Sequence, residues 1–487
     1  MDQILLDFTH SRGRIAPEIY GHFSEHIGGV MYDGIWRGDG YRRELVDFFR
    51  RIAPPVLRWP GGCFAETYDW MDGIGPREER PERINWWYLN DGRTEPNAMG
   101  THEFAQFCRL VGAEPYFAAN ITSVSPLHIR NWIEYCNAPA GKTTLSRLRE
   151  KNGDREPLRV KWWGLGNENW GGGGHMDARQ YARRFRQYRE LAANVDFYHD
   201  LKFVACGPTD GRSEWAADFL DEYKSALLAP EMPQGLSMHY YCGRAGHPLT
   251  FTEDQWYEML FKADRMTDYI DVNRRAMDRH DPDRRIGLIV DEWGCWHEDG
   301  TGPSKGYNLF EQQSTLRDAA VAGITLNDFN NRCDVVAMAN VAQLVNNLHC
   351  LFLAGGDHFC VTPTYHVFEL YMPHKGARQV GVVNGGGMRE REGYSPLWSV
   401  HASASEKDGK AAVTLVNTDP AASRRVRFGA VGGEITSPAA RTLASNDPHD
   451  HNDFDEPDRV HIRPLPMKGM EAELPPASVT CVTFRKA

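Results

Sequence analysis

Two glutamates each close a hydrophobic run: Glu168 ends VKWWGLGNE and Glu292 ends RIGLIVDEW. Charged side chains seldom enter apolar surroundings without a partner or a task. A facing pair of carboxyl groups suits one chemistry well, the cleavage of a glycosidic bond. One group, protonated, supplies the departing oxygen with a proton; the other attacks the anomeric carbon or activates water. Further polar residues fall at the ends of other apolar runs. They are His22 and Glu25 after PEIYGHF, Arg58 within PVLRWPGG, Asn120 ending AEPYFAAN, Asn167 beside Glu168, His239 and Tyr241 in GLSMHYY, and Gln343 ending DVVAMANVAQ.

Elements that could bring these residues together are legible in the periodicity. Eight short apolar runs read as strands: 17–23, 55–62, 113–120, 160–168, 202–208, 235–241, 285–293 and 334–343. Helical stretches lie between them. In YRRELVDFFRRI the residues Leu45, Phe48, Phe49 and Ile52 share one face, as do Trp256, Met259, Leu260 and Ala263 further on. Strands alternating with helices imply parallel βαβ units, and eight of them close into a (β/α)₈ barrel, whose catalytic residues sit at the C-terminal strand ends. An open doubly wound sheet is the alternative, but no GxGxxG follows a strand. Alternation along strand seven puts Leu288, Val290 and Glu292 on one face and Asp291 on the other, which makes Asp291 a structural carboxylate. Strict alternation in strand four would split Asn167 from Glu168, so both reach one pocket only if the strand bulges or ends there. Beyond about residue 380 the helical pattern gives way to short alternating strands such as KAAVTLVNT and SVTCVTFRK, expected to form an antiparallel, jelly-roll-like β-sandwich that ILLDF at the N-terminus can join.

Composition narrows the function classes. The chain has 487 residues, with 55 basic against 66 acidic side chains and a net charge of −11, which argues against a nucleic-acid binder. No apolar run approaches the roughly 18 residues of a membrane span. The start has neither a basic n-region nor a long apolar h-region, so a cytoplasmic location is expected. The ten cysteines contain no CxxC pair and read as reduced thiols. The 14 Trp are assigned first to core packing. The acidic, histidine-rich NDPHDHNDFDEPD (446–458) reads as a solvated loop before a metal site, and the glycines at 171–174 as a flexible loop.

Seven collinear segments resemble the α-L-arabinofuranosidases of glycoside hydrolase family 51: 21–36, 56–81, 162–174, 235–241, 288–296, 338–346 and 362–371. The resemblance implies a (β/α)₈ TIM barrel over 15–375 and a discontinuous β-sandwich of 1–14 with 376–487. It implies Glu168 as acid/base and Glu292 as nucleophile of a retaining mechanism that needs no metal or other cofactor. Asn167 matches a residue that binds the sugar 2-hydroxyl, and Glu25 a substrate-binding glutamate. His239 and Tyr241 match residues supporting the nucleophile, and Gln343 a strand-eight sugar contact, with Asn346 as the alternative. Arg58 is expected to orient carboxylates from behind them. Cys63 stands where many members carry asparagine, and a thiol is the poorer hydrogen-bond donor. The implied partners are arabinofuranose-containing oligosaccharides, with neither nucleic acid nor membrane, and the implied assembly is a homo-oligomer, a hexamer in the family.

Retention requires carboxyl groups about 5–5.5 Å apart. The expected reaction is the exo-hydrolysis of terminal α-L-arabinofuranosides from arabinan or arabinoxylan oligosaccharides. A β-xylosidase, an endoglucanase or a galactofuranosidase is the same-scaffold alternative, because a fold does not fix a substrate. A non-catalytic sugar-binding relative would be expected to have lost one glutamate. A barrel acting on phosphorylated metabolites would carry its glycine-rich turn after strands seven or eight, whereas GGGG follows strand four.

Overall fold

The structure is a computed structural model that describes residues 1–228 and 231–486. Eight strands follow one another around a closed barrel: β1 (Gly21–Phe23), β2 (Val56–Trp59), β3 (Glu114–Ala119), β4 (Trp162–Leu165), β5 (Lys202–Ala205), β6 (Gly235–Cys242), β7 (Gly287–Cys295) and β8 (Val336–Ala342). Each of the eight apolar runs supplies one of them, and neighbours pair in parallel, as in His22 opposite Leu57 and Phe203 opposite Trp163. Several strands are shorter than the runs predict, three of them for reasons visible in the backbone. Pro17–Tyr20 winds as a 3₁₀ turn before β1. β4 stops at Leu165 because Gly166 takes a φ of +95°, and β5 stops at Ala205, before Gly207 and Pro208.

By its internal contacts the chain divides into two compact units. One comprises Met1–Tyr20, Tyr240–Asp271 and Glu292–Ala487; the other comprises Gly21–His239 and Val272–Asp291. The boundaries fall inside β6 and β7. In the second unit an aromatic wedge backs β2 to β4. Trp59 stacks on Phe104 at 4.9 Å, Phe117 on Trp132 at 4.9 Å, and Trp132 meets Trp163 edge-on at 5.2 Å. Trp59, Trp132 and Trp163 are all buried, so these tryptophans serve the core. The predicted helix faces are present: Leu45, Phe49 and Ile52 are buried, while Phe48 is half-covered by Arg51 at 4.4 Å.

In the first unit a ten-stranded sheet includes the N-terminal strand Asp2–Asp7. That strand pairs antiparallel with Arg378–Asn384 and parallel with Arg424–Val431, the latter a departure from a purely antiparallel sheet. Phe428 and Phe484 lie five strands apart in the sheet order, yet their rings are 5.5 Å apart. The sheet therefore folds over on itself, and Ile4, Leu6, Val413, Val426, Leu474 and Val482 share one core. The 446–458 segment differs from the solvated loop expected of it. Asn452 is fully buried and donates to the carbonyls of Val361 (3.0 Å) and Val460 (2.9 Å), and His449 Nε2 lies 2.8 Å from the Phe251 carbonyl. The His449 imidazole thus docks the loop, while that of His451 bonds within it. None of the described helices is long and apolar enough to cross a membrane.

His374 is fully buried between Ser405 Oγ (2.8 Å) and Thr414 Oγ1 (3.0 Å). Burial lowers its pKa to about 3, against an unfolded value near 6.5. Below pH 6.5 the unfolded chain binds a proton that the folded chain refuses, so stability is complete above 6.5 and falls as the pH drops. By pH 5 this one group should cost about 2 kcal/mol. Urea denaturation at pH 7 and pH 5 should show that loss in the wild type and a correspondingly smaller one in His374→Gln; an unchanged pH slope would remove His374 as the cause.

Candidate active site

Glu168 sits three residues beyond β4, in the turn the strand ending creates. Its φ is +43°, a left-handed conformation that lets consecutive residues depart from strand alternation. The backbone then closes on itself, with the amides of Gly171 (2.7 Å) and Gly173 (3.1 Å) donating to the Glu168 carbonyl. A Cβ on Gly173 would lie 2.0 Å from the Asn167 carbonyl oxygen, so only glycine fits there. The glycine run is thus a hydrogen-bonded turn. On the side chain, His239 Nδ1 lies 2.9 Å from Glu168 Oε1 and Cys63 Sγ lies 3.8 Å from Oε2. Asn167 Nδ2 points at the same sulfur, 3.9 Å away. Cys63 is half-buried.

Arg58 is buried in β2 and donates to Asn167 Oδ1 at 2.6 Å, with its Nε 3.6 Å from Asp291 Oδ2. Asp291 also accepts a 2.8 Å bond from Tyr116. Gly164 on β4 makes room for that tyrosine, since a Cβ there would lie 2.9 Å from its hydroxyl. Arg58 and Asp291 therefore hold Asn167 from behind. Glu25 is buried and accepts from the Phe64 amide at 2.9 Å. His22 packs edge-on against Phe49 at 4.8 Å, and Asn120 caps its own turn through Ser123 and the Tyr68 carbonyl.

On β7, Glu292 is buried and its Oε2 accepts a 2.7 Å bond from Tyr241. Tyr241 is braced edge-on by Trp296 at 5.1 Å. Gln343, just past β8, is buried, and its amide donates to the Asn347 carbonyl at 3.1 Å. Asn346 is committed elsewhere: its Nδ2 donates to the Ala354 carbonyl and its Oδ1 accepts from the Ala354 amide, both at 2.7 Å. Of the two strand-eight candidates, Asn346 is the one spent on holding its loop.

Comparison with known proteins gives this arrangement a family. Residues 48–241 match the model of an α-L-arabinofuranosidase 1 domain, and residues 291–478 that of an α-L-arabinofuranosidase C-terminal domain. An intracellular exo-α-L-arabinofuranosidase of Bacteroides ovatus is 34% identical over 97% of this chain and 93% of its own. The chain belongs to the family 51 α-L-arabinofuranosidases. It is accordingly a glycoside hydrolase. The family 51 arabinofuranosidase structure from Xanthomonas axonopodis superposes with a TM-score of 0.93 at 32% identity, over 99% of both chains. An arabinose complex of the Thermotoga maritima α-L-arabinofuranosidase gives 0.87 at 29% over the whole of both.

Glu66 is the residue that the sequence reading missed. It lies in the 3₁₀ turn Cys63–Thr67 after β2, fully enclosed. Its Oε1 accepts from the Asn167 amide and Asn169 Nδ2, both at 2.8 Å; its Oε2 accepts from the amides of Ile121 and Thr122, both at 3.0 Å. Burial raises its pKa, opposed by these bonds. The available signal was a lone carboxylate in an otherwise apolar GGCFAE turn. Glu66→Gln keeps the shape but turns one acceptor into a donor facing N–H groups. Each buried donor left unsatisfied costs roughly 1–3 kcal/mol. The variant should therefore lose about 3 kcal/mol of stability in urea titration and at least about tenfold in kcat/KM. Wild-type stability together with wild-type activity would remove Glu66 from its role.

Proposed function

We propose that this enzyme releases terminal, non-reducing α-L-arabinofuranosyl residues from arabinan and arabinoxylan oligosaccharides with retention of configuration. Glu168 serves as acid/base and Glu292 as nucleophile, in a catalytic barrel over 15–375 carrying a sandwich of 1–14 with 376–487. The observation that carries the assignment is the different company each glutamate keeps. Glu292 receives a hydroxyl donor from Tyr241, as an anion poised to attack requires. Glu168 has the His239 imidazole against it and the turn of 171–174 beneath it.

In the first step a Glu292 oxygen bonds to the anomeric carbon, the bond to the leaving oxygen breaks, and Glu168 passes that oxygen its proton. In the second, water attacks the same carbon, Glu168 takes a proton from the water, and the Glu292 ester is released as carboxylate. Asn167 is set to meet the sugar 2-hydroxyl, and Gln343 and Glu25 to bind the ring. The reading places the enzyme inside the cell, acting on short imported oligosaccharides as a homo-oligomer. The name of the Bacteroides relative supports the location. Recovery of the protein mainly from culture medium would refute the location, and a monomer in sedimentation would refute the assembly.

The substrate is tested with aryl α-L-arabinofuranoside, β-D-xylopyranoside, β-D-galactofuranoside and β-D-glucopyranoside; release from the first is expected, and release only from the others would overturn it. The roles are tested with an activated aryl arabinofuranoside. Glu292→Ala should be almost inert. Glu168→Ala should accumulate the glycosyl-enzyme and be rescued by azide to the retained glycosyl azide, because azide needs no deprotonation. Azide rescue of Glu292→Ala to that product, with no intermediate in Glu168→Ala, would reverse the assignment.

A further inference from the structure

Within the unit formed by Met1–Tyr20, Tyr240–Asp271 and Glu292–Ala487, the chain just beyond Glu292 is tied down residue by residue. β7 runs on to Cys295, and Trp296 and His297 follow. The backbone amides of 295–297 each have an acceptor. That of Cys295 donates to His349 Nδ1 at 3.1 Å, that of Trp296 to the Cys242 carbonyl at 3.0 Å, and that of His297 to Gln312 Oε1 at 2.7 Å. Gln312 Nε2 returns to the Cys295 carbonyl at 3.1 Å. Gly294 takes a φ of +150°, and a Cβ there would lie 2.6 Å from His349 Cβ, so that side chain packs against bare backbone.

The side chain of His297 carries this stretch to a second anchor. Its Nε2 lies 2.8 Å from Asp318 Oδ1, and its Nδ1 has no hydrogen-bond partner among the described residues, so the bond to Asp318 is what orients the ring. Asp318 is the third residue of the helix Leu316–Asn331 and is fully buried. Burial would raise its pKa, but the His297 imidazole, helped by Arg317, outweighs burial and holds the carboxyl well below its usual range. The ionised oxygen accepts, so His297 Nε2 donates. The other oxygen, Oδ2, accepts from the Thr315 amide at 2.8 Å and closes the capping box of the helix. Capping takes that oxygen; Oδ1 is spent on His297. Arg317, also fully buried, donates to the carbonyls of Ala245 (2.8 Å) and His247 (3.3 Å), just past the end of β6. One helix start thus grips the chain beyond both strands that carry Tyr241 and Glu292.

We infer that Asp318, acting through His297, is a positioning residue for Glu292. The route is short. Asp318 orients His297, His297 fixes the turn that carries Trp296, and the Trp296 ring stands edge-on to Tyr241 at 5.1 Å. Tyr241 donates to Glu292 Oε2 at 2.7 Å. Trp296 is half-buried, with Phe310 edge-on at 5.0 Å on its ring, so the backbone that carries it sets the angle of the brace. A reacting group must be held within about 0.5 Å of its productive place. One bond from a tyrosine with two rotatable torsions does that only while its ring is braced. The inference rests on Glu292 being the nucleophile, and it adds what aims that carboxylate.

The test uses an aryl α-L-arabinofuranoside with a good leaving group, which needs little protonation and so reports on attack by the nucleophile. His297→Leu should lower kcat/KM about a hundredfold, the cost of a small displacement at the reacting atoms. The inhibition constant of L-arabinose should change less than about twofold, because ground-state binding is spared. His297→Gln sets an amide N–H near the place of Nε2 and should recover most of the activity. In a Tyr241→Phe background, adding His297→Leu should cost less than about threefold, since the route through the hydroxyl is already cut. If His297→Leu fails to fold because it strands a buried charge, the double variant His297→Leu/Asp318→Asn replaces it. Wild-type kcat/KM in folded His297→Leu, a His297→Gln enzyme no better than His297→Leu, an undiminished loss in the Tyr241→Phe background, or an inhibition constant rising in step with the loss would each overturn the inference. Activity surviving in Glu292→Ala would instead overturn the nucleophile assignment beneath it.

Discussion

One buried carboxylate sets the geometry on which the Glu168 side of the site depends. Glu66 leaves the end of β2 and takes four N–H groups from the ends of β3 and β4. Three of these are backbone amides with no ladder partner once their strands stop, the fourth is the Asn169 side chain, and an unmet buried amide is costly. The strands can therefore end early, releasing Asn167 and Glu168 from alternation, because Glu66 meets the amides so exposed. An ionised group is strained by such burial, and the four donors are what make it tolerable. The same side chain thus satisfies the backbone and fixes the turn that carries Asn167 and Glu168.

Asn167 is then clamped from two sides. Its backbone amide is fixed by Glu66 and its side-chain carbonyl by Arg58, which in turn leans on Asp291 and through it on Tyr116. Asp291 stands next to Glu292 in β7, so the strand carrying the proposed nucleophile also carries an anchor of Asn167, the residue proposed to meet the 2-hydroxyl. Alternation sends the two neighbouring carboxylates to different tasks. Arginine suits the inner position because it stays charged and forks between partners that a lysine could reach only one at a time.

The barrel was legible because parallel strands buried on both faces read as short apolar runs, and because polar residues at their ends break that rule. Leu288–Glu292 assigned Asp291 and Glu292 to opposite faces by periodicity alone. The exact strand ends were not legible, since they depend on left-handed residues such as Gly166 and Glu168, whose conformation tertiary bonds decide. Glu66 escaped for a related reason. Its four partners lie from 55 to 103 residues along the chain, and no local pattern encodes such a contact. Likewise only the structure shows that Asn346, one of two amides past the end of β8, is bonded to the Ala354 backbone. The docked 446–458 loop looked solvent-exposed because its composition is charged, and composition does not reveal that Asn452 is fully buried.

Cys63 shows how a weak contact beside Glu168 is accommodated. Its sulfur stands 3.8 Å from Glu168 and 3.9 Å from Asn167, at the outer limit of sulfur hydrogen bonding, and thiols are weak partners at best. With a thiol, the orientation of Glu168 passes to His239 at 2.9 Å, and that of Asn167 to Arg58 and Glu66. Gly172 packs over the sulfur so closely that a Cβ there would approach it to 2.9 Å. A soft, polarisable atom under a bare backbone fills the space that a branched amide would contest. The work of positioning Glu168 therefore falls to the imidazole, with the thiol beside it as packing.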